Sequence, residues 1–170
     1  MRGTVLIRRL LWLLTLIVAI VMLDQWIKRL MVAWIGPTAA THRQEVLGTF
    51  VAFEYLENRG AAFGMFHQRT ELLAVVSILI VAIAMGAIVR FALIDVPLAI
   101  GISMIVGGAV GNIIDRLGRG YVVDYIAIGQ FWKFNLADAA VTFGAAITFW
   151  GLWRADAARQ SSGIKQENHT

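Results

Sequence analysis

Two aspartates, Asp124 and Asp138, stand fourteen positions apart in the sequence. Asp124 lies in the apolar stretch "GYVVDYIAI" with no partner close in sequence, and Asp138 closes "FNLAD" and opens an uncharged run from Ala139 to Trp153. Two carboxylates in a partly dry cleft do not both ionise easily; one keeps a proton while the other stays charged. Such a pair can polarise a water molecule, deliver it to an amide carbonyl and protonate the departing nitrogen. Blander readings stand beside this one. Asn135 and Asp138 form an N-x-x-D pattern, a relative of the capping box with an acid favoured by the helix dipole, and Asp124 also reads as a surface acid in a loop.

Other polar residues recur at comparable places. Asp24 and Lys28 are four apart on one helical face and able to neutralise each other. Asn58 sits in "ENRGAAFG", while Asn112, Asp115 and Arg116 close "GGAVGNIIDR". There, Asn112 and Arg116 share a face, and Asp115 beside Arg116 allows an ion pair. Gly107 and Gly111, four apart, suit close packing of two membrane helices. The sequence offers no metal set, since His42, His67 and His169 are scattered without the H-E-x-x-H spacing. The absence of cysteine removes thiol nucleophiles. Serines fall within apolar spans (Ser77, Ser103) or in the tail (Ser161, Ser162), which supports no serine triad.

The elements that must position these residues are membrane helices. The 170 residues are 59% hydrophobic and 15% charged, with a mean hydropathy of +0.72; soluble domains carry about 25% charged residues. A fold this small has too little interior to hide so much apolar surface from water. About 20 apolar residues cross the hydrocarbon core, and four stretches qualify, near residues 10–34, 71–90, 96–115 and 135–153. The N-terminal basic residues and apolar run lack a small-x-small cleavage site and read as a retained first span. Pro97 suits a helix first turn. Between the spans lie segments 36–70 and 117–134, both on one side; the first reads as one or two short strands, rich in β-branched and aromatic residues. A polar tail, 154–170, is expected to fray. Asp24, Lys28, Asn58, Asn112, Asp115, Arg116, Asp124, Asn135 and Asp138 all fall on the long-segment side, which makes them functional candidates.

Charge does not orient the chain. Seven basic residues lie on the short-connection side and eight on the other, so the positive-inside rule makes no choice. The basic residues form no cluster beyond Arg8-Arg9 and Lys28-Arg29, which speaks against nucleic acid and for contact with lipid headgroups. A proton-coupled carrier and a purely structural subunit stay open as alternatives, although no internal repeat supports a carrier.

The ordered blocks "DQWIK" (24–28), "NRGAAFG" (58–64), "GGAVGNIIDR" (107–116), "VVDY" (122–125) and "FNLAD" (134–138) resemble those of bacterial lipoprotein signal peptidase, signal peptidase II. The resemblance spans about residues 10 to 153. It implies an all-α integral membrane protein with four transmembrane helices and a small periplasmic β-cradle from the first long loop. It implies a cofactor-free aspartyl endopeptidase of the inner membrane, with both termini cytoplasmic and the site near the periplasmic face. Its partners would be membrane lipids, diacylglyceryl-modified prolipoproteins cut just before the lipidated cysteine, and globomycin-type inhibitors; the chain is expected to be a monomer. Asp124 and Asp138 match the catalytic dyad. Asn58, Gly60, Asn112, Arg116 and Asn135 match substrate-binding positions, and Asp24, Lys28 and Asp115 match structural positions near the site. Ile27 and Ala139 stand where the family often has hydroxyl residues, a departure that touches auxiliary hydrogen bonds.

Overall fold

The computed structural model describes residues 2–60 and 70–167. Part of the "NRGAAFG" block (61–64), His67 and His169 lie outside the described residues. Four helices, α1 (Arg2–Ile35), α2 (Thr70–Phe91), α3 (Val96–Arg119) and α4 (Leu136–Glu167), are each long and apolar enough to cross a membrane. Large apolar side chains such as Trp12, Leu79 and Phe149 are exposed, as a hydrocarbon solvent permits. The helix of the last span continues through Glu167, past the boundary near Trp153 expected from hydropathy.

The starts and stops of α3 follow from local chemistry. Asp95 is its N-cap, accepting from the Leu98 N–H at 3.0 Å, with proline in the first turn, where a missing N–H costs nothing. Gly120 ends it in the left-handed region at φ 78°, its N–H donating to the Arg116 carbonyl, a conformation that glycine alone adopts without a Cβ penalty. That turn lets strand β3 begin two residues later.

Four antiparallel strands form one sheet in the order β1 (Arg43–Leu47), β2 (Val51–Asn58), β3 (Val122–Ile128) and β4 (Trp132–Phe134). The first long segment supplies β1 and β2, as its composition predicts. The cradle does not come from that segment alone, however: the second supplies β3 and β4. Asp124 therefore sits in a strand and not a surface loop, because Val122, Val123, Ile126 and Ile128 around it favour the extended backbone. In the β2–β3 pairing Asn58 lies opposite Val122 and Leu56 opposite Asp124, with a bulge between Phe53 and Leu56. Glu54 of β2 takes both Arg43 of β1 and Lys133 of β4, tying three strands through one carboxylate. Burial works to raise its pKa, but Lys133 and Arg43 outweigh it and hold the group below the usual range. Trp34 at the end of α1 packs on Phe53 at 5.8 Å between ring centres, which seats the sheet on the helices.

Helix α3 is the central post, with twelve buried residues, and α1, α2 and α4 all pack on it. Close approach needs small residues. A Cβ on Gly107 would meet Ile20 at 3.0 Å, one on Gly111 would meet Asp24 Oδ2 at 2.6 Å, and one on Gly108 would lie 2.3 Å from the Ala137 carbonyl oxygen. The expected packing role of Gly107 and Gly111 thus faces α1, and Gly108 supplies the contact with α4.

Candidate active site

The first turn of α4 carries Asp138, and its N–H groups are a problem that every helix has to solve. Here three different elements solve it. The Leu136 N–H donates to the Tyr125 hydroxyl of β3 at 3.1 Å, the Ala137 N–H to Asp24 Oδ1 of α1 at 3.1 Å, and the Asp138 N–H to its own cap, Asn135 Oδ1, at 3.0 Å. Asp138 Oδ2 in return accepts from the Asn135 N–H at 3.1 Å, which completes a reciprocal capping box. The capping reading of this acid and its placement in a site are therefore compatible.

Asn135 also reaches the second acid. Its Nδ2 donates to Asp124 Oδ1 at 2.8 Å, while Asn58 Nδ2, diagonal across the β2–β3 pair, donates to Asp124 Oδ2 at 2.9 Å. Asn112 of α3 donates from Nδ2 to Asp138 Oδ1 at 2.8 Å. The orientation of that amide is set from behind, because its Oδ1 accepts from Lys28 Nζ at 3.0 Å and from Asn135 Nδ2 at 3.2 Å. Asn58 Oδ1 accepts the Gly60 N–H at 3.0 Å, so the turn after β2 is held to the same cluster.

Behind these groups lies a fully buried ionic knot. Lys28 Nζ is 2.9 Å from both Asp24 Oδ2 and Asp115 Oδ2. Two carboxylates on one ammonium leave excess negative charge in a dry place, which is costly without further donors. They have them: Gln25 Nε2 donates to both acids at 3.2 Å, the Val123 N–H to Asp115 Oδ2 at 3.2 Å, and the Ala137 N–H to Asp24. The knot thus grips β3 next to Asp124 and α4 next to Asp138. The i,i+4 pairing of Asp24 with Lys28 is present, but Asp115 pairs with Lys28 instead of Arg116, since adjacent helical residues point in different directions.

A cleft of about 690 Å³ opens beside this cluster between α2, α3, α4 and the sheet. Asn58, Gly60, Asn112, Arg116 and Asp138 line its polar end, and Ile80, Ile105, Val141 and Phe143 its apolar end. Ile105 lies seven residues from Asn112 on α3, so the apolar wall runs ~10 Å along the helix. Arg116 lines the cleft wall, and its Nε is buried with no hydrogen-bond partner among the described residues. Asp124 is only 1% exposed and meets the cleft through Asn58. Burial, and then the charge of Asp138, push its carboxyl up to about 7, against the lowering effect of Asn58 and Asn135. Two acids with different surroundings and one shared asparagine can divide acid and base roles.

Every site residue flagged in the sequence belongs to this region. Gln25 and Tyr125 were missed, although both stand inside flagged blocks ("DQWIK", "VVDY"); a glutamine next to Asp24 in a membrane span was the available signal.

The fold and the site define a class: a four-helix membrane protein with a small sheet, two aspartates and a cleft that is polar at one end and apolar at the other. Residues 16–154 match the family model described as signal peptidase (SPase) II, and the chain belongs to this family of membrane peptidases that process lipoproteins. It is 34% identical over 139 residues to a lipoprotein signal peptidase of Caldanaerobacter subterraneus subsp. tengcongensis, covering 79% of this chain and 90% of that one. A lipoprotein signal peptidase of Moorella thermoacetica is 41% identical over 108 residues, 63% of this chain and 71% of the relative. A solved bacterial membrane enzyme, determined by the in meso method at 2.3 Å, superposes with a TM-score of 0.71 at 28% identity, covering 86% of this chain and 90% of that one.

Proposed function

We propose that this chain is an aspartyl endopeptidase that cuts diacylglyceryl-modified prolipoproteins just before the lipidated cysteine. The observation that carries the reading is Asn135 holding both Asp124 and Asp138 at the polar end of a cleft whose other end is apolar. Asp124, raised to about 7, holds the proton at rest, and Asp138 serves as the base. Water gives its proton to Asp138 as its oxygen adds to the scissile carbonyl, and Asp124 passes its proton to the departing nitrogen as the C–N bond breaks. The products are a free acid and a free amine; the dyad again holds one proton, now on Asp138, and transfer back to Asp124 resets it. The Arg116 guanidinium receives the carbonyl oxygen where negative charge develops. Asn58, Gly60 and Asn112 hold the peptide backbone. Acyl chains lie along Ile80, Ile105 and Phe143.

Globomycin-type inhibitors occupy the same cleft, and the protein acts as a monomer. It resides in the bacterial inner membrane, the site near the periplasmic face and both termini cytoplasmic. The test uses purified protein with a lipidated precursor and with the same precursor unlipidated. Asp124→Asn and Asp138→Asn should each lower cleavage by about 10²–10⁴-fold while the protein stays folded and monodisperse, and only the lipidated precursor should be cut. Near-normal cleavage by either variant removes the dyad from the mechanism.

A further inference from the structure

A second cavity lies at the other end of the molecule, unconnected with the chemistry above. It measures about 500 Å³ and runs between α1 and the start of α3, lined by Val5, Leu13, Ala92, Val96, Ala99 and Ile100, with Arg8, Arg9 and Trp12 at its rim. Arg9 is held in place: its Nη1 donates to the Ala92 carbonyl at 3.0 Å and weakly to the Leu93 carbonyl at 3.4 Å. Arg8 is exposed, and among the described residues its guanidinium makes no hydrogen bond or ion pair. Trp12 is 68% exposed, an amphipathic ring of the kind that settles at the headgroup level.

The charge around this groove has one sign. Asp95, next to the lining residue Val96, is already committed to the Leu98 N–H and to Arg154 at 2.7 Å. The segments at this end carry seven basic and three acidic residues, those at the catalytic end eight of each, so the entire net charge of +4 lies here. A groove walled by aliphatic side chains and rimmed by two guanidiniums matches one kind of bilayer component: an apolar chain attached to an anionic head.

We propose that this groove is a binding site for one anionic phospholipid, its phosphate held by Arg8 and Arg9 and an acyl chain lying along Val5, Leu13 and Ile100. Arg9 is pre-positioned by the α2–α3 turn, and Arg8 closes on the phosphate from the exposed face. A zwitterionic lipid presents the same phosphate with a cation beside it and binds less well. The site lies at the membrane face away from the catalytic cleft, so its occupancy is independent of substrate.

Native mass spectrometry of the full chain in micelles doped equally with phosphatidylglycerol and phosphatidylcholine tests this. The wild type should retain one phosphatidylglycerol in preference to phosphatidylcholine. Each basic residue at a membrane surface contributes roughly fivefold to anionic-lipid affinity, so Arg8→Gln should lower that retention about fivefold and Arg8→Gln/Arg9→Gln about 25-fold. Arg8 is exposed and makes no hydrogen bond or ion pair among the described residues, so Arg8→Gln decides the question even if loss of Arg9 disturbs the turn. Equal phosphatidylglycerol retention by wild type and Arg8→Gln overturns the site. Displacement of phosphatidylglycerol by millimolar inorganic phosphate, with no such effect of chloride at equal ionic strength, overturns the lipid assignment in favour of a free-anion site.

Discussion

Asn135 is the residue through which the candidate dyad is assembled, since it donates to Asp124, caps Asp138 and touches Asn112. The proposed roles make a signed prediction. Asp124 retains its proton up to about pH 7, and cleavage needs that proton, so kcat should decline as the pH rises above about 7. Asn58 donates to Asp124 and favours its charged form; Asn58→Ala should raise the pKa further and move the declining limb to higher pH. A kcat–pH profile of both proteins in the same micelles checks it, and a limb that stays put or moves down contradicts the proton assignment. At this scale the sequence was informative, because acids and amides at span ends have few uses in a bilayer. What it did not show was direction. Asp115 beside Arg116 looked like a pair, yet helical geometry turned one toward Lys28 and the other toward the cleft.

The elements are joined by groups that belong to two of them at once. Lys28 on α1 faces Asp115 on α3, and Asp24 on α1 accepts from α4. Lys28→Met leaves two buried carboxylates without their cation and should cost about 3–5 kcal/mol, read as a lowered unfolding temperature in detergent. Gly108→Ala would set a Cβ 2.3 Å from the Ala137 carbonyl oxygen, and backbone cannot yield as a side chain does. It should cost about 1–3 kcal/mol and also lower cleavage, because Ala137 precedes Asp138; thermal unfolding and kcat measured together separate the two effects. The four helices were legible from hydropathy alone. The β3–β4 half of the sheet was not: β4 has only three residues, and β2, the partner that places β3, lies 64 to 77 residues from it in sequence, a distance over which local pattern carries no pairing signal.

Across the whole molecule the two ends are built differently. The end that holds the two aspartates and the sheet is knit by fully buried charges; the opposite end has the half-exposed Arg154–Asp95 pair, which water and salt screen. Arg154→Gln should change stability by less than ~1 kcal/mol, measured under the conditions used for Lys28→Met, and a larger loss would mean that this end is not the looser one. Charge counting did not orient the chain because the end with the sheet carries as many acids as bases, most of the bases being partners for those acids instead of topological signals.

The sharing of Asn135 between two acids also bears on how resistance to a cleft-filling antibiotic would arise. No polar member of the cluster can change without disturbing at least one other, so surviving escape mutants should be scarce there. They should fall instead on the outer lip, where Phe131 is 87% and Trp132 61% exposed and a substitution alters the drug's footing while leaving the bond-breaking groups in register.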